Sequence, residues 1–375
     1  MKIPLSAPDI TDAEIDAVTQ VLRSGRLSLG PQLEAFESAV AQYAHAKRAV
    51  AISSGTAGLH LAVRALGLKE GDEVILPSFT FIAAANALLY ERIAPVFVDI
   101  DAATLNLDPS QVESAITPRT RAILAVHTFG VPAALDELQS IAQRHNLFLI
   151  EDACEALGAE FLGKKVGSLA DAGVFAFYPN KQITTAEGGV LATQNESLAA
   201  RVRSLRNHGR SESADWLRHA ELGFNYRLSE LHAALGVAQM QRIDSILARR
   251  EKIAHAYAER LFGTDALILP PLDLPNRRIS WFVYVVRLAE GHAPAHRDRI
   301  IEGLAARGIA AARYFAPIHF QPHYREAKRA PLPITESIGA RTIALPFFNQ
   351  ITNSQLDEVA ETLLSLLGNL PGPGL

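Results

Sequence analysis

Cysteine is nearly absent from this chain of 375 residues, and its single thiol, Cys154, excludes an internal disulfide framework. The chain also lacks an uninterrupted apolar run near the roughly 18 residues that suggest a membrane-spanning helix. Its 36 lysines and arginines stand against 40 aspartates and glutamates, so no basic excess favours nucleic-acid binding. These shortages predict a protein with neither a membrane nor a nucleic-acid partner.

Two further kinds of signal are missing from the sequence. The N-terminal segment has no apolar core of the kind found in secretory signals, so the expected location is the cytoplasm. The histidines form no metal-ligand pattern, because Pro322 separates His319 from His323 and keeps them from sharing a helix face. We therefore expect no metal site.

The length exceeds what a single core usually fills, which predicts two domains. The large domain is expected over residues 1–250 and a smaller C-terminal domain over 251–375. One predicted strand of the large domain spans 121–129. A single long helix is predicted over 229–261 and carries the chain into the small domain, where residues 280–367 are typical of a compact α+β unit.

Short apolar runs alternate with helical patterns in the first half of the chain. This alternation is typical of a mostly parallel sheet that is covered by helices on both faces. Ser53, Pro77, Asp152 and Tyr178 each stand at the end of a predicted strand. Because the carboxyl ends of parallel strands lie at one edge of a sheet, we expect the four loops to converge on one cleft.

Three of these loops carry groups that can bind a ligand or take part in catalysis. The small residues of segment 53–61 open a helix, which either binds a phosphate through free N–H groups or is an ordinary capped start. Glu151 and Asp152 end a buried strand, and a buried carboxylate needs a partner, either a structural ion pair or a protonated ring nitrogen. Lys181 follows the strand that Pro179 ends, as a surface charge or as an amine delivered into a cleft.

Together, the three loops meet the requirements of pyridoxal 5′-phosphate (PLP). The helix start would anchor the phosphate, and the carboxylate of Asp152 would keep the pyridine nitrogen protonated. The amine of Lys181 would form the Schiff base with the cofactor's aldehyde. The sequence therefore predicts a PLP enzyme.

The motifs along the chain resemble those of the DegT/DnrJ/EryC1/StrS family of nucleotide-sugar aminotransferases, from about residue 3 to residue 364. The resemblance implies PLP fold type I, an α/β fold in which helices sandwich the mostly parallel sheet of a large domain and a smaller C-terminal α+β domain follows. The segments that carry it are SGTAGLH at 54–60, PSFTF at 77–81, PVFVD at 95–99, EDACEA at 151–156, FAFYPNKQITTAEGG at 175–189, RNHGR at 206–210 and GFNYR at 223–227.

The resemblance implies a PLP-dependent transaminase. It would move an amino group from an amino acid, typically glutamate, through pyridoxamine phosphate to a keto-sugar carried on a nucleoside diphosphate. Such enzymes make amino sugars for surface polysaccharides or glycosylated products. Lys181 favours transamination, since the dehydrating branch of the family has histidine at this position. One alternative is a non-nucleotide cyclic ketone as the acceptor, as in aminocyclitol synthesis. A second is a non-catalytic sensor or regulatory protein with the PLP fold.

The resemblance also implies roles for particular residues. Lys181 and Asp152 are the expected catalytic residues. Asn225 and Arg227 are expected to reach across a homodimer interface, so that each active site is shared. Further cofactor contacts are expected from Gly55, Thr56, Ala57, Phe81 and Glu155. The residues expected to line the sugar site are Arg26, Leu27, His208, Arg210, Arg313, Tyr314 and His319.

Two positions depart from the family pattern. Ala176 stands where many relatives have a serine that binds the phosphate, so the phosphate has one donor fewer. Glu155 stands where glutamine or histidine is common, near the phenolic oxygen of the cofactor. A carboxylate there would repel a phenolate unless the carboxyl group is protonated or paired. Both departures leave the central lysine and aspartate unchanged.

Overall fold

Helices and short strands alternate through residues 2–210 and 218–370, which a computed structural model of the chain describes. The helices are α1 Asp12–Ser24, α2 Pro31–Tyr43, α3 Gly55–Ala65, α4 Ala83–Leu89, α5 Pro109–Ala115, α6 Leu135–His145, α7 Glu196–Arg206, α8 Glu230–Gln241, α9 Ile243–Leu261, α10 Pro294–Ala306, α11 Pro333–Gly339 and α12 Asn353–Gly368. Residues 371–375, the end of the predicted small domain, lie outside the described residues.

The strands are short and most of them are buried. They are β1 Arg48–Ile52, β2 Glu73–Pro77, β3 Ala94–Val98, β4 Thr120–Val126, β5 Phe148–Asp152, β6 Glu160–Phe161, β7 Lys164–Lys165, β8 Ala172–Ala176, β9 Gly189–Thr193, β10 Leu267–Ile268, β11 Arg277–Arg278, β12 Tyr284–Leu288, β13 Lys328–Arg329 and β14 Thr342–Leu345.

The large sheet has the strand order β1-β9-β8-β5-β4-β2-β3-β13. Strand β9 pairs antiparallel with β1 and β8, and the other pairs are parallel. Along β1, Ala49 and Ala51 belong to the core on one face, while Val50 and Ile52 belong to the core on the other. The period of two in a strand therefore buries both faces, and the predicted mostly parallel sheet is confirmed.

A separate core lies under the three-stranded sheet β10-β12-β14. Helix α9 contributes to both cores, with Ile246 in the core of the large sheet and Ile253 in that of the small one. Ile3, near the chain start, also packs in the small core and bridges to Ile309. The division of the chain at residue 250 stays a prediction.

The prediction of one helix over residues 229–261 is wrong, because the chain bends at Arg242 between α8 and α9. Arg242 has φ −111° and ψ 3°, and its guanidinium binds the carboxylates of Asp9 (3.0 Å) and Glu14 (2.9 Å). The bend lets α8 pack on α1 and α2 while α9 continues to the small core. A single arginine within a continuous helical pattern does not mark a helix end, so periodicity alone could not locate the bend.

Over residues 2–210 and 218–370, none of the helices combines the length and the apolar character that crossing a bilayer requires.

Candidate active site

Helix α3 begins directly over the ends of β5 and β8. The hydroxyl of Ser54 accepts a hydrogen bond from the N–H of Ala57 (3.1 Å) and caps the helix. A Cβ atom at Gly55 would lie 2.7 Å from Cβ of Ala176 and 2.9 Å from Sγ of Cys154, so only glycine permits this approach. The first N–H groups of a helix have no acceptor within it. This helix start therefore fits an anion beside both strand ends.

The side chain of Lys181 extends from the turn after β8 into a cleft that Glu155 and Phe282 line. Its Nζ lies 3.6 Å from Oε1 of Glu155 and 4.1 Å from the centroid of the Phe282 ring, and 14% of the side chain is exposed. The turn is held by a hydrogen bond from the Lys181 N–H to the carbonyl of Tyr178 (2.9 Å). Of the two placements that the sequence left open, the structure has the amine in the cleft.

The two carboxylates that end β5 have different surroundings. Glu151 is fully buried and accepts hydrogen bonds from the backbone N–H groups of Gly167 (2.6 Å), Leu169 (2.7 Å) and Ala170 (2.9 Å), and it also bonds to Nε2 of His127 (3.0 Å). Its partners are therefore supplied by the protein itself.

Asp152 is the next residue, and its side chain lies on the other face of the strand. Its Oδ1 accepts the N–H of Cys154 (3.1 Å). Cys154 in turn lies against Gly55 at the start of α3. The carboxylate of Asp152 is thus the one of the pair that lies beside the helix start and the Lys181 turn.

Burial controls the titration of the groups around Lys181. It raises the pKa of the Glu155 carboxyl, and the charge of Lys181 acts in the opposite direction. Burial, together with the negative charge of Asp152, raises the pKa of the Cys154 thiol well above its usual value. A thiol that stays protonated is a poor nucleophile, so Cys154 is a packing residue.

A second group of predicted site residues surrounds Asn207. The Nη1 of Arg227 donates to Oδ1 of Asn207 (2.9 Å), and Asn225 pairs with Asn207 across an antiparallel bridge. The N–H of Arg210 donates to the carbonyl of Asn207 (3.2 Å). Burial, with the positive charges of Arg227 and Arg210, lowers the pKa of His208. The structure therefore brings these four residues together in one basic cluster.

The segment that carries Asn225 and Arg227 is tied to the start of α3. The N–H of Ser53 donates to the carbonyl of Tyr226 (2.8 Å), and the Tyr226 hydroxyl lies 3.2 Å from Nδ1 of His60. Adjacent residues in an extended segment point in opposite directions. Asn225 and Arg227 therefore point away from the face that Tyr226 presents to α3, and Asn225 is exposed.

The loop with Arg26 and Leu27 lies beside the same segment. The carbonyl of Leu27 accepts the N–H of Glu230 (3.0 Å), and Ser28 bridges to Ser229. The guanidinium of Arg26 donates to the carbonyl of Leu29 (2.8 Å) and is exposed.

Four further predicted residues, Tyr314, Arg313, His319 and Phe81, lie in four different environments. Tyr314 stacks on Phe129 with ring centroids 6.4 Å apart, and burial together with the charge of Glu155 raises its pKa, so it belongs to the Lys181 cleft. Arg313 is paired instead with Asp298 (2.9 Å).

His319 is buried and its Nδ1 lies 2.7 Å from the hydroxyl of Ser78, just past β2. This contact joins the segment between α10 and α11 to the large sheet. Phe81 precedes α4 and is 60% exposed, so one face of its ring is open to a ligand.

Three residues of the cleft have no role in the sequence-based prediction. Phe129 and Phe282 flank the Glu155–Lys181 pair, and Gln182 donates from Nε2 to the carbonyl of Glu155 (2.5 Å). The predicted strand over 121–129 is wrong at its end, because β4 stops at Val126 and Phe129 has φ +55°. In the sequence, Phe282 is indistinguishable from an ordinary core residue. Gln182 could have been identified only from its position next to Lys181.

Comparisons with known proteins bear on the family of the chain. The model of the DegT/DnrJ/EryC1/StrS aminotransferase family matches residues 8–364. The chain belongs to this family. It is 40% identical to GDP-perosamine synthase of Caulobacter vibrioides over 368 residues, which cover 98% of each chain.

Solved structures of the family extend the agreement to the fold. DesV of S. venezuelae has a TM-score of 0.90 and 35% identity, and the match covers 99% of this chain and 100% of that one. The putative sugar aminotransferase Spr1654 of Streptococcus pneumoniae has a TM-score of 0.93 and 28% identity, covers 98% and 99%, and is known in PLP and PMP forms. Fold type I, the PLP cofactor and the transaminase activity predicted from the sequence are thereby confirmed.

Proposed function

We propose that this PLP-dependent aminotransferase transfers an amino group from an amino acid, with glutamate as the expected donor, to a keto-sugar carried on a nucleoside diphosphate. The observation that carries the proposal is the 40% identity to GDP-perosamine synthase over almost the whole of both chains. The two arginines of the basic cluster, Arg210 and Arg227, support it, because a diphosphate needs positive partners. The expected products are amino sugars for polysaccharides or glycosylated compounds, made in the cytoplasm.

The cofactor, when bound, supplies an aldehyde and a ring that accepts electrons from the substrate carbon. For this chain we assign the attachment of the aldehyde, and the movement of a proton to and from the substrate carbon, to Nζ of Lys181. Asp152 would keep the ring nitrogen protonated, since a carboxylate favours the charged form of a nearby base. Further cofactor contacts are assigned to the helix start at Gly55, Thr56 and Ala57 for the phosphate, and to the open face of Phe81 for the ring.

We also propose that the protein is a homodimer whose subunits share their active sites. Apolar side chains lie exposed in the segments that carry the predicted site residues, among them Leu222 (76%), Phe81 (60%) and Leu27 (46%). A second copy of the chain would cover such surface. Asn225 points away from its own α3 and would donate to a group in the neighbouring cleft.

Replacement of Asn225 by alanine tests the sharing of sites. Asn225 is exposed in the single chain, so the folded subunit should lose less than about 0.5 kcal/mol of stability, while cofactor affinity falls roughly tenfold through one lost hydrogen bond. Asn369→Ala, which changes an exposed residue after α12, is the control and should leave affinity unchanged.

Mixed dimers of Asn225→Ala and Lys181→Ala chains test directly whether the subunits share their active sites. In such a dimer the intact Lys181 of one subunit meets the intact Asn225 of the other, so one full-affinity site should reappear. Absence of any such site in purified mixed dimers would contradict sharing. The measurement is cofactor binding, by absorbance, and turnover per dimer.

A non-nucleotide cyclic ketone is the second candidate acceptor. It is favoured by one structural neighbour, 3-amino-5-hydroxybenzoic acid synthase, with a TM-score of 0.91 and 28% identity over 98% of this chain and 99% of that chain. A single-turnover assay of the pyridoxamine-loaded enzyme separates the two. Nucleotide-linked 3-keto and 4-keto sugars should discharge the amino group at least about 100-fold faster than free cyclitol ketones. The reverse order would overturn the nucleotide-sugar assignment.

A further inference from the structure

Glu155 is held in place both through its backbone and through its carboxyl group. Its backbone carbonyl accepts Nε2 of Gln182 (2.5 Å), and Gln182 also donates to the carbonyl and hydroxyl of Ser280 (3.1 Å each). The carboxyl oxygen Oε2 accepts the backbone N–H of Phe129 (3.0 Å). With these contacts made, Oε1 is the oxygen that faces Nζ of Lys181, at 3.6 Å.

The N–H of Phe129 is aimed at Glu155 by an unusual backbone conformation. Phe129 has φ +55°, a region that bulky side chains rarely adopt. The preceding N–H, of Thr128, donates to Oδ1 of Asn106 (2.8 Å), and a Cβ at the following Gly130 would lie 1.8 Å from the carbonyl of Ser280. Strain of this kind persists only where the surroundings over-determine it, and it is concentrated at functional sites.

Four titratable groups face this carboxyl from the elements packed around it. They are Asp152 at the end of β5, Cys154 just after it, Tyr314 between α10 and α11, and Lys181 after β8. Lys181 is the only one of the four that can carry a positive charge. The face of the Phe282 ring lies 4.1 Å from Nζ of the same lysine. A buried carboxylate is costly unless it is paired, so the charge of Lys181 stabilises the carboxylate of Glu155.

We propose that Glu155 is a positioning residue for Lys181: its carboxylate pairs with the lysine amine and retains the amine's proton in the cleft until a carbonyl group is to be attacked. The carboxylate accepts the proton when the amine gives it up, so that an ammonium and a carboxylate become a neutral amine and a carboxylic acid. The exchange stays within the pair, so neither partner is left as an unpaired charge in a buried site. The inference deepens the proposed role of Lys181 and accounts for a glutamate at this position.

The test measures the protonation of Lys181 directly, in the cofactor-free full chain. Competitive labelling of lysines with acetic anhydride is followed from pH 6 to pH 11, and the Lys181 peptide is quantified by mass spectrometry. In Glu155→Gln the amine loses its charged partner, while the amide oxygen can still accept the N–H of Phe129. The pH of half-maximal labelling should fall by at least about one unit, and labelling at pH 8 should rise roughly tenfold.

The matched control is Glu160→Gln, because Glu160 also pairs with a lysine, the half-buried Lys165 (2.8 Å). It should leave the Lys181 profile unchanged. Glu155→Asp keeps the negative charge but places it further from Lys181, because the aspartate side chain is shorter. The labelling profile of Lys181 in this variant should lie between those of the wild type and Glu155→Gln. If Glu155→Gln does not fold, the comparison of Glu155→Asp with the wild type tests the proposal by itself.

A profile of Lys181 that is the same in the wild type and in the folded Glu155 variants would overturn the proposal and leave Glu155 as a structural acceptor for Phe129. Failure of the proposed function looks different. In that case borohydride would attach no pyridoxal phosphate to Lys181 of the wild type, whatever the labelling profiles show.

Discussion

Lys181→Ala is expected to remove multiple turnover, with a loss of at least about 10³-fold in rate, and to leave the fold intact. Both effects follow from the position of the side chain. The amine supplies the proposed attachment point and the proton transfer, each of which contributes orders of magnitude in rate. Its contacts in the protein are one ion pair with Glu155 and one ring face of Phe282. Loss of the charge leaves Glu155 free to protonate, so the structural cost stays small.

The measurement combines chemistry and spectroscopy. Borohydride treatment of the wild type with pyridoxal phosphate should fix the cofactor to the peptide that contains Lys181, and the variant should bind it only non-covalently. Lys165→Ala is the matched control, since Lys165 also pairs with a glutamate and lies over an aromatic ring, that of Tyr43 at 4.8 Å. Unchanged turnover in Lys181→Ala, or fixation of the cofactor at another lysine, would contradict the assignment.

The elements that local sequence could predict are those whose pattern is set by burial alone. A strand such as β2, buried along its whole length, shows itself in the sequence by the apolar run from Val74 to Pro77. Because parallel strands end at one edge, the convergence of Gly55, Asp152 and Lys181 also followed from their places after strands. The structure has Cys154 and Ala176 within 3 Å of the position of a Gly55 Cβ, as that convergence requires.

The features that sequence could not predict depend on contacts between distant residues. The bend at Arg242 depends on Asp9 and Glu14, more than 200 positions earlier. The positive φ of Phe129 depends on Asn106, Glu155 and Ser280, and no local pattern records it. Ile3 joins the core of the C-terminal unit by a bridge to Ile309. Such contacts are long-range, so propensity and periodicity contain no information about them.

Glu151→Ala is expected to destabilise the protein by roughly 3–5 kcal/mol, the cost of leaving buried partners unpaired. The side chain accepts the N–H groups of Gly167, Leu169 and Ala170 and bonds to His127, all inside the protein. Removal of the carboxylate leaves these donors without an acceptor and without water. Glu151→Gln should cost about half as much, because one amide oxygen replaces two accepting oxygens. Denaturant unfolding measures both differences.

Asp152→Asn provides the contrast, one residue further along the same strand. The amide oxygen can still accept the N–H of Cys154, so stability should change by less than about 1 kcal/mol. Turnover should fall at least about 100-fold, because a neutral amide no longer favours the protonated ring nitrogen. A folded, active Asp152→Asn enzyme would refute the assignment of Asp152. A stable but inactive Glu151→Ala enzyme would show that the two carboxylates have exchanged the roles that their hydrogen bonds indicate. The alternation of side chains along β5 thus separates a residue that holds the sheet edge together from one that serves the cofactor, although the two are neighbours in sequence.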